Sequence, residues 1–430
     1  MTAEIAILNK TAVALAADSK VTLTQGGRQK TYDTVDKLFS LSKTEPIGAM
    51  IYGNAEFVGF PWETIVKEYR RKRPYAAFET VFDWADDFLK FLIGFFPFNE
   101  NDEDRVALAI AQGWVSNAVA EAFHGARGPD DFVGRLDAVL DETIAELNKA
   151  PEFISNKEWA ALEPRISGAI RQICGSGLMV SFEEAQESLV PLAELGIRRL
   201  MASPSSTGLV IAGFGEKELL PSLVSYDIDG ILCGRLKHVE TERHDMTRQS
   251  DGVILPFAQT DMVERFMQGI DPTYAMLIHE SVGQLILQNA TDAVKAFGHT
   301  DAEIEELLPA LKVATAAAAH TFWDAHERHR RDRFASPIID MVMSLPKDEL
   351  ANVAESLVSL TSLQRRVSRE LETVGGAVDV AVISKGDGFV WIKRKHYFNA
   401  DRNLRFVNAY FAEHNRPRIR GGRTDDDNDG

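Results

Sequence analysis

The sequence predicts an α+β fold in which antiparallel sheets are packed between helices. Strand-like runs come in pairs joined by short turns, and long stretches between them carry apolar residues every three or four positions. The order along the chain is strands, helices, strands, helices, strands. Strands grouped in hairpins and separated by helical blocks favour antiparallel sheets over alternating βαβ units.

Composition indicates a large globular protein. The chain has 430 residues, of which 45% are hydrophobic, enough for one large or two ordinary domains. Its formal charge of -17 argues against nucleic-acid and anionic-membrane partners, because both surfaces would repel it. Two cysteines, Cys174 and Cys233, form neither a disulfide framework nor a metal motif. With no signal-like N-terminus and no run of about 20 apolar residues, we expect a cytoplasmic protein.

The first elements are two predicted hairpins. Ile5 and Ile7 alternate with smaller or polar residues, a short turn follows at Asn9, and Ala12–Ala17 is an unbroken apolar run. We therefore expect a hairpin with a buried second strand. After a glycine-rich loop at 26–27, residues 37–42 and 47–53 form a second predicted pair joined around Pro46.

Helical periodicity then dominates from 56 to about 200, as in Phe82, Ala85, Phe88, Leu89 and Leu92. Predicted strands return at 207–213, 223–228 and 230–236, with a turn at 227–230. A second helical block covers 260–373, with breaks near 269–272, 298–300 and 336–337. Two last strands, 377–384 and 388–394, flank a hairpin turn.

These elements predict one domain over 1–415, with helical insertions at about 100–200 and 290–340. The last segment, 416–430, loses apolar residues and ends in a run of aspartates. It is therefore expected to be a disordered acidic tail.

The N-terminus carries the main chemical hypothesis. A small residue at position two normally allows the initiator Met1 to be removed, which would leave Thr2 with a free α-amino group. A threonine hydroxyl is a weak nucleophile by itself, but the amine of the same residue can act as its general base. Thr2 is therefore a candidate nucleophile.

Five short segments, in this order, give the chain a resemblance to proteasome β-type subunits and their bacterial relatives. Together with the position of Thr2 they extend over roughly half of the chain. They are the Ala-Asp-x-Lys-x-Thr signature at 17–22, the Lys-Leu-Phe start of a strand at 37–39, the strand at 48–53, the stretch from 210–213 to 226–230, and the stretch 375–383.

The resemblance implies an N-terminal-nucleophile (Ntn) hydrolase with a four-layer αββα sandwich of antiparallel sheets and large helical insertions. It implies that Thr2 attacks a carbonyl carbon, that Lys37 keeps the amine neutral, and that Asp18 holds that lysine. Lys20 occupies the matching basic position, and Gly53 matches the glycine whose N–H binds the oxyanion. Taken one at a time, these residues have ordinary structural explanations, whereas their combination favours a shared site.

The chain departs from the family pattern where the central helix begins. The usual Ser-Gly-Ser run is replaced by Ile-Leu-Pro-Phe-Ala-Gln-Thr-Asp at 254–261. Gln259 or Thr260 could supply the missing hydrogen bond. Asp261 is more simply interpreted as an N-terminal charge that stabilises the helix dipole.

A second departure precedes Gly375. The acid and serine positions of the family pattern correspond to Leu371 and Val374, neither of which can hydrogen-bond through its side chain. Glu370, Glu372 and Thr373 are the possible substitutes.

The resulting prediction is a threonine-type hydrolase of peptide or other amide bonds, without cofactor or metal. The family forms rings, so the predicted partner is a second copy of the chain; no ATPase partner is assigned. Two alternatives remain open. One is a small-molecule amidase on the same fold, and the other is a non-catalytic scaffold subunit.

Overall fold

A computed structural model describes residues 3–25, 28–32, 35–95, 99–250, 252–368, 374–395 and 402–405. The strands are β1 (Ala3–Leu8), β2 (Ala12–Ala17), β3 (Val21–Gln25), β4 (Arg28–Tyr32), β5 (Leu38–Ser40), β6 (Ile47–Tyr52), β7 (Glu56–Phe57), β8 (Phe60–Pro61), β9 (Thr207–Gly213), β10 (Ser222–Leu232), β11 (Arg235–Asp245), β12 (Val253–Ala258), β13 (Asp379–Ser384) and β14 (Gly388–Lys393). The helices are α1 (Trp62–Lys72), α2 (Val81–Phe95), α3 (Glu100–Phe123), α4 (Pro129–Lys149), α5 (Asn156–Cys174), α6 (Glu183–Gln186), α7 (Leu189–Arg198), α8 (Asp261–Gln268), α9 (Pro272–Ala296), α10 (Asp301–Arg330), α11 (Ser336–Ser344) and α12 (Lys347–Val367).

Two five-stranded antiparallel sheets form the centre. The first sheet has the order β12-β1-β2-β13-β14, and the second has the order β11-β10-β9-β6-β5. In the first sheet, Glu4 of β1 lies opposite Ala17 of β2 and Phe257 of β12. Because β2 lies between two strands and is covered on both faces, its sequence is a continuous apolar run rather than an alternating one.

The two sheets share one hydrophobic core. Leu8 and Leu15 of the first sheet pack in the same cluster as Met50 and Val210 of the second. Alternate residues of β1, such as Ile5, point to the opposite face, as the period of two along a strand requires. The start of β1 therefore lies at the edge of the core between the sheets.

Helices cover the outer faces of both sheets. Leu350 and Leu357 of α12 pack against the outer face of the first sheet. Trp62 of α1 and Trp84 and Phe88 of α2 form the core on the outer face of the second. Their large aromatic side chains account for the strong apolar periodicity of this part of the sequence.

Helices α3 to α7 form a helical body with a core of its own. Trp114 of α3 fits against Gly196 of α7, where an added Cβ would lie 2.2 Å from the indole Cδ1 atom. Among the described residues, α3 is the one helix long and apolar enough to cross a membrane, and half of its apolar window is buried. It resembles the core helix of a soluble protein.

A long hairpin, α9 with α10, is mostly exposed. In α9 only Ala275 of the described residues is buried, although this helix spans 25 residues. Large apolar side chains on the hairpin face solvent, with Phe297 85% and Val313 74% exposed. This surface is therefore available for contacts beyond the chain itself.

Most predicted strands are confirmed, and the structure corrects three details. Strand β10 continues through the predicted turn at 227–230, with a register shift between Ile228 and Gly230, and the chain reverses at Cys233 and Gly234 instead. The predicted break at 336–337 is absent, because a π-helical turn, Arg331–Ala335, leads directly into α11. Strand β12 and the pairs β3–β4 and β7–β8 were not predicted; β7 and β8 lie where the helical block was expected to begin.

The fold-class prediction is wrong at its finer level. The structure is α+β with antiparallel sheets, but the sheets and the helices on their outer faces make up only part of it, so a four-layer Ntn sandwich does not describe the molecule. Much of the helical sequence lies in the body α3 to α7, which has a separate core, and in the exposed hairpin α9–α10. The predicted division into one domain remains a prediction, and its tail at 416–430 lies outside the described residues.

Candidate functional site

A buried ion pair joins the ends of two strands. Asp18 follows β2, Lys37 immediately precedes β5, and the Lys37 Nζ atom lies 2.5 Å from Asp18 Oδ1. The side chains are 0% and 6% exposed. Water does not screen this pair, so each charge depends on the other for its stabilisation. The structure thus brings together two of the residues that the sequence predicted to share a site.

The Asp18 carboxylate also binds backbone N–H groups from both sides. Ala3 donates to Oδ1 at 3.2 Å, and Gly375 donates to Oδ2 at 2.9 Å. The Lys20 N–H is 3.4 Å from Oδ2, and the Lys20 side chain is buried beside it. One carboxylate therefore fixes the start of β1, the segment before β13 and the Lys37 ammonium relative to one another.

The predicted nucleophile Thr2 lies outside the described residues, as do Glu370 and Glu372. What the structure places is the covalent neighbour of Thr2, Ala3, whose N–H donates to Asp18. The acid–lysine pair is consequently one peptide unit away from Thr2.

Gly53 and Lys37 line the same pocket. This small, open pocket also includes Val21 and Trp62. Gly53 has φ +86°, and a Cβ there would lie 2.8 Å from the Ser206 carbonyl oxygen, so the position requires glycine. No described residue accepts a hydrogen bond from the Gly53 N–H, which leaves this donor available to a ligand.

Gln259 and Thr260 lie between β12 and α8. Gln259 is buried and directly follows Ala258, which pairs with Ala3 and has φ +64°. A non-glycine residue in this left-handed conformation is strained, which is common near functional sites. Gln259 is thus close to the start of β1, and its supporting role stays a prediction.

Thr260 does not cap α8 through its side chain. The neighbouring Asp261 accepts from the Arg365 guanidinium of α12 at 3.2 Å, which adds an ion pair to its predicted role as an N-terminal charge. Val374, the family's serine position, is fully buried in the core beneath the first sheet and offers no polar group.

Glu4 is a buried acid that the sequence prediction missed. Strand alternation places it on the face of β1 shared with Ala6 and Leu8, between the sheets. It is 1% exposed, and neither carboxyl oxygen has a hydrogen-bond partner among the described residues. Burial raises the pKa of Glu4 well above its ordinary value; the nearby Lys37 opposes this effect and Asp18 adds to it. A lone charge in an otherwise apolar strand was the sequence signal.

A second buried ion pair lies where the helical body meets the second sheet. Lys237 Nζ is 2.9 Å from Asp229 Oδ2, and it also donates to the Gly196 carbonyl at 2.8 Å. The Ser203 hydroxyl donates to Asp229 Oδ1 at 2.5 Å and lies 3.0 Å from the Ser205 hydroxyl. The sequence had assigned Asp229 only to a turn.

The arrangement around Asp18 can hold a positive charge beside the N-terminal end of β1 while presenting a backbone donor nearby. Such a combination suits nucleophilic attack on a carbonyl, where a negative charge develops on oxygen. In the part of the chain that the structure describes, no group of three or more His, Cys, Asp or Glu side chains is placed to hold a metal ion.

Comparisons with known proteins do not identify a family. No protein-family model and no curated protein matches the chain. A solved structure, Anbu (ancestral beta-subunit) from Yersinia bercovieri, aligns over 98% of this chain and 100% of its own at 10% identity, with a TM-score of 0.28. This score is too low to support an argument about fold or function. The predicted membership of the proteasome β-type family is therefore wrong as an assignment, because five short segments are its whole basis.

Proposed function

We propose that the chain is a threonine-type hydrolase that cleaves peptide or other amide bonds through Thr2 after removal of Met1. One observation carries this proposal: the Asp18 carboxylate binds both the Lys37 ammonium, at 2.5 Å, and the N–H of Ala3, the residue bonded to Thr2. In this proposal, Lys37 is the buried cation that disfavours protonation of the Thr2 amine.

In the proposed reaction, Thr2 Oγ attacks the substrate carbonyl carbon and its α-amine accepts the hydroxyl proton. The oxyanion is stabilised by the Gly53 N–H and by the field of Lys37. Collapse of the tetrahedral intermediate transfers the proton to the leaving amine and leaves an acyl ester on Thr2. Water, deprotonated by the same amine, then hydrolyses the ester.

Intact mass spectrometry provides the first test. The mature chain should lack Met1, and a threonine-directed covalent inhibitor should add its mass once, at Thr2. The Thr2→Ala variant should lose labelling and turnover, whereas Thr44→Ala, at an exposed threonine, should retain both. A purified chain that keeps Met1, or turnover that persists in Thr2→Ala, would exclude this mechanism.

The substrate class is tested with two sets of amides. Peptidyl arylamides should be cleaved, and cleavage restricted to small acyl amides would favour the alternative of a small-molecule amidase. Labelling without any turnover would favour a non-catalytic scaffold. Lys37→Met should abolish labelling, since the amine would lose its neighbouring cation.

We further propose that the protein is cytoplasmic and self-associates. Both cysteines are free, as expected in a reducing compartment. The exposed apolar side chains of the α9–α10 hairpin provide a surface for a second copy. Fractionation of the source cells tests the location.

A further inference from the structure

A larger cavity lies beside the candidate site, between the loop after β6 and helix α3. We call it the α3 pocket. Its volume is about 240 Å³, and its walls include Asn54, Phe57, Val106, Ile110, Ser205 and Asp229. Because α3 belongs to the helical body, the pocket exists only where that body packs onto the second sheet.

The α3 pocket is a neighbour of the pocket that contains Lys37 and Gly53. Asn54 lines both pockets, and it directly follows Gly53 in the chain. A substrate whose carbonyl oxygen binds the Gly53 N–H could therefore extend one of its side chains into the α3 pocket.

The walls of the α3 pocket combine apolar residues with the charged residues Glu56, Asp102, Arg105 and Asp229. Phe57, Val106 and Ile110 are buried wall residues. Their packing would favour a ligand with an extended methylene chain, since burying apolar surface is favourable.

Only one acid at the α3 pocket lacks a cation. Asp102 pairs with Arg105, and Asp229 pairs with Lys237. Glu56 lines the pocket, is exposed, and pairs with no described cation. Its charge would therefore be complementary to a positive group on a ligand that enters from solvent.

We propose that the α3 pocket binds a lysine-type side chain of the substrate, with its methylenes against the apolar wall and its ammonium group near Glu56. This proposal rests on the proposed hydrolase function and names a substrate class for it. The pocket would thereby select amide substrates that carry a long cationic side chain close to the scissile bond.

The test compares peptidyl arylamides that differ at one position at a time, with lysine, norleucine or glutamate there. At one position the wild type should cleave in the order lysine, norleucine, glutamate. Glu56→Gln should reduce the preference for lysine over norleucine about two- to fivefold, as expected for an exposed charge pair. Cleavage of the norleucine peptide should fall less than cleavage of the lysine peptide.

Ala109, an exposed α3 residue that lines the pocket, allows a steric test. Ala109→Trp should fill the pocket and lower kcat/KM for the lysine peptide at least tenfold. Ala120→Trp, at an exposed residue of the same helix outside the pocket, is the matched control and should behave as wild type.

Labelling of Thr2 by a small inhibitor without side chains separates the two proposals. If the inhibitor does not label Thr2 of the wild type, the proposed hydrolase function is refuted. Normal labelling and turnover, with no lysine preference at any position or with equal rates for Ala109→Trp and Ala120→Trp, refutes the α3-pocket inference alone.

Discussion

Burial in the folded protein destabilises the ionised form of Glu4, and this makes the stability of the fold depend on pH. Its pKa is raised in the folded protein because burial disfavours the carboxylate. As pH rises above the unfolded value of about 4.3, the unfolded chain releases this proton while the folded chain keeps it. The free energy of unfolding of the wild type therefore falls with rising pH, compared with a variant that has a neutral side chain at position 4. This fall ends once the pH exceeds the pKa of Glu4 in the folded protein.

We accordingly expect Glu4→Gln to stabilise the protein increasingly above pH 4.3. Its free energy of unfolding should gain on that of the wild type by up to about 1.4 kcal/mol per pH unit, and then level off. Urea unfolding at several pH values measures this difference. Glu184→Gln, at an exposed acid, should show no such trend; a pH-independent difference for Glu4→Gln would contradict the prediction.

Gly53 has both a positive φ and a close contact with the backbone of another segment, whereas Gly59 has only a positive φ. Both Gly53 and Gly59 have positive φ, but an added Cβ meets the Ser206 carbonyl oxygen at 2.8 Å only at Gly53 and meets nothing within 4 Å at Gly59. Gly59→Ala should cost about 1 kcal/mol of stability through backbone strain alone. Gly53→Ala should cost more, because Ser206 must move. Equal costs in chemical denaturation would show that the close approach is absent.

At this scale, the sequence predicted the residues that follow a local pattern. Asp18, Lys37 and Gly53 stand at strand ends, and they were selected because the short segments around them resemble the proteasome β-type pattern. Glu4 and Asp229 were missed because their environment depends on distant segments. Which face of β1 is covered by a second sheet cannot be read from β1 itself.

At the scale of the elements, the Asp229–Lys237 pair connects the helical body to the second sheet. Lys237 of β11 donates to the carbonyl of Gly196 in α7 as well as to Asp229 of β10. Lys237→Met would leave a buried carboxylate without its cation, and we expect a loss of about 3–5 kcal/mol. Denaturant titration should detect it readily.

A surface lysine provides the comparison. Lys217 pairs with Glu79 in a largely exposed setting, so Lys217→Met should cost less than about 1 kcal/mol. The double variant Asp229→Asn with Lys237→Met should recover part of the loss, because it removes the unpaired charge. Similar losses for Lys217→Met and Lys237→Met would show that the buried pair is not a structural anchor.

Among the elements, the predicted and the missed strands differ for physical reasons. Strand β12 is apolar throughout, but Pro256 in its middle argues against a strand unless the strand lies at the edge of a sheet, as β12 does. The Asp-Ile-Asp-Gly stretch of β10 has the composition of a turn, but its residues are explained by contacts with other elements. Asp229 binds Lys237, and Gly230 leaves room for Val106 of α3, which an added Cβ would approach to 2.7 Å.

At the scale of the whole molecule, periodicity predicted how much helix there is but not where it packs. The same spacing of apolar residues occurs in α2, which covers the second sheet, and in the body around α3, which has its own core. A four-layer Ntn sandwich for the molecule was therefore an over-extension from a few strand segments. The extra body instead creates the α3 pocket beside the candidate site.

The α9–α10 hairpin gives a prediction for the assembled protein. An amphipathic helix normally buries an apolar stripe, yet Leu285 and Val313 on this hairpin are more than half exposed. If a second copy covers them, burial of each such side chain contributes about 1.5–3 kcal/mol, and a charge there opposes association.

Val313→Glu should therefore raise the dissociation constant at least tenfold in sedimentation velocity. Val180→Glu, at a comparably exposed valine outside the hairpin, should leave association unchanged. A wild type that stays monomeric at every concentration, or equal effects of both substitutions, would rule out the hairpin as the self-association surface.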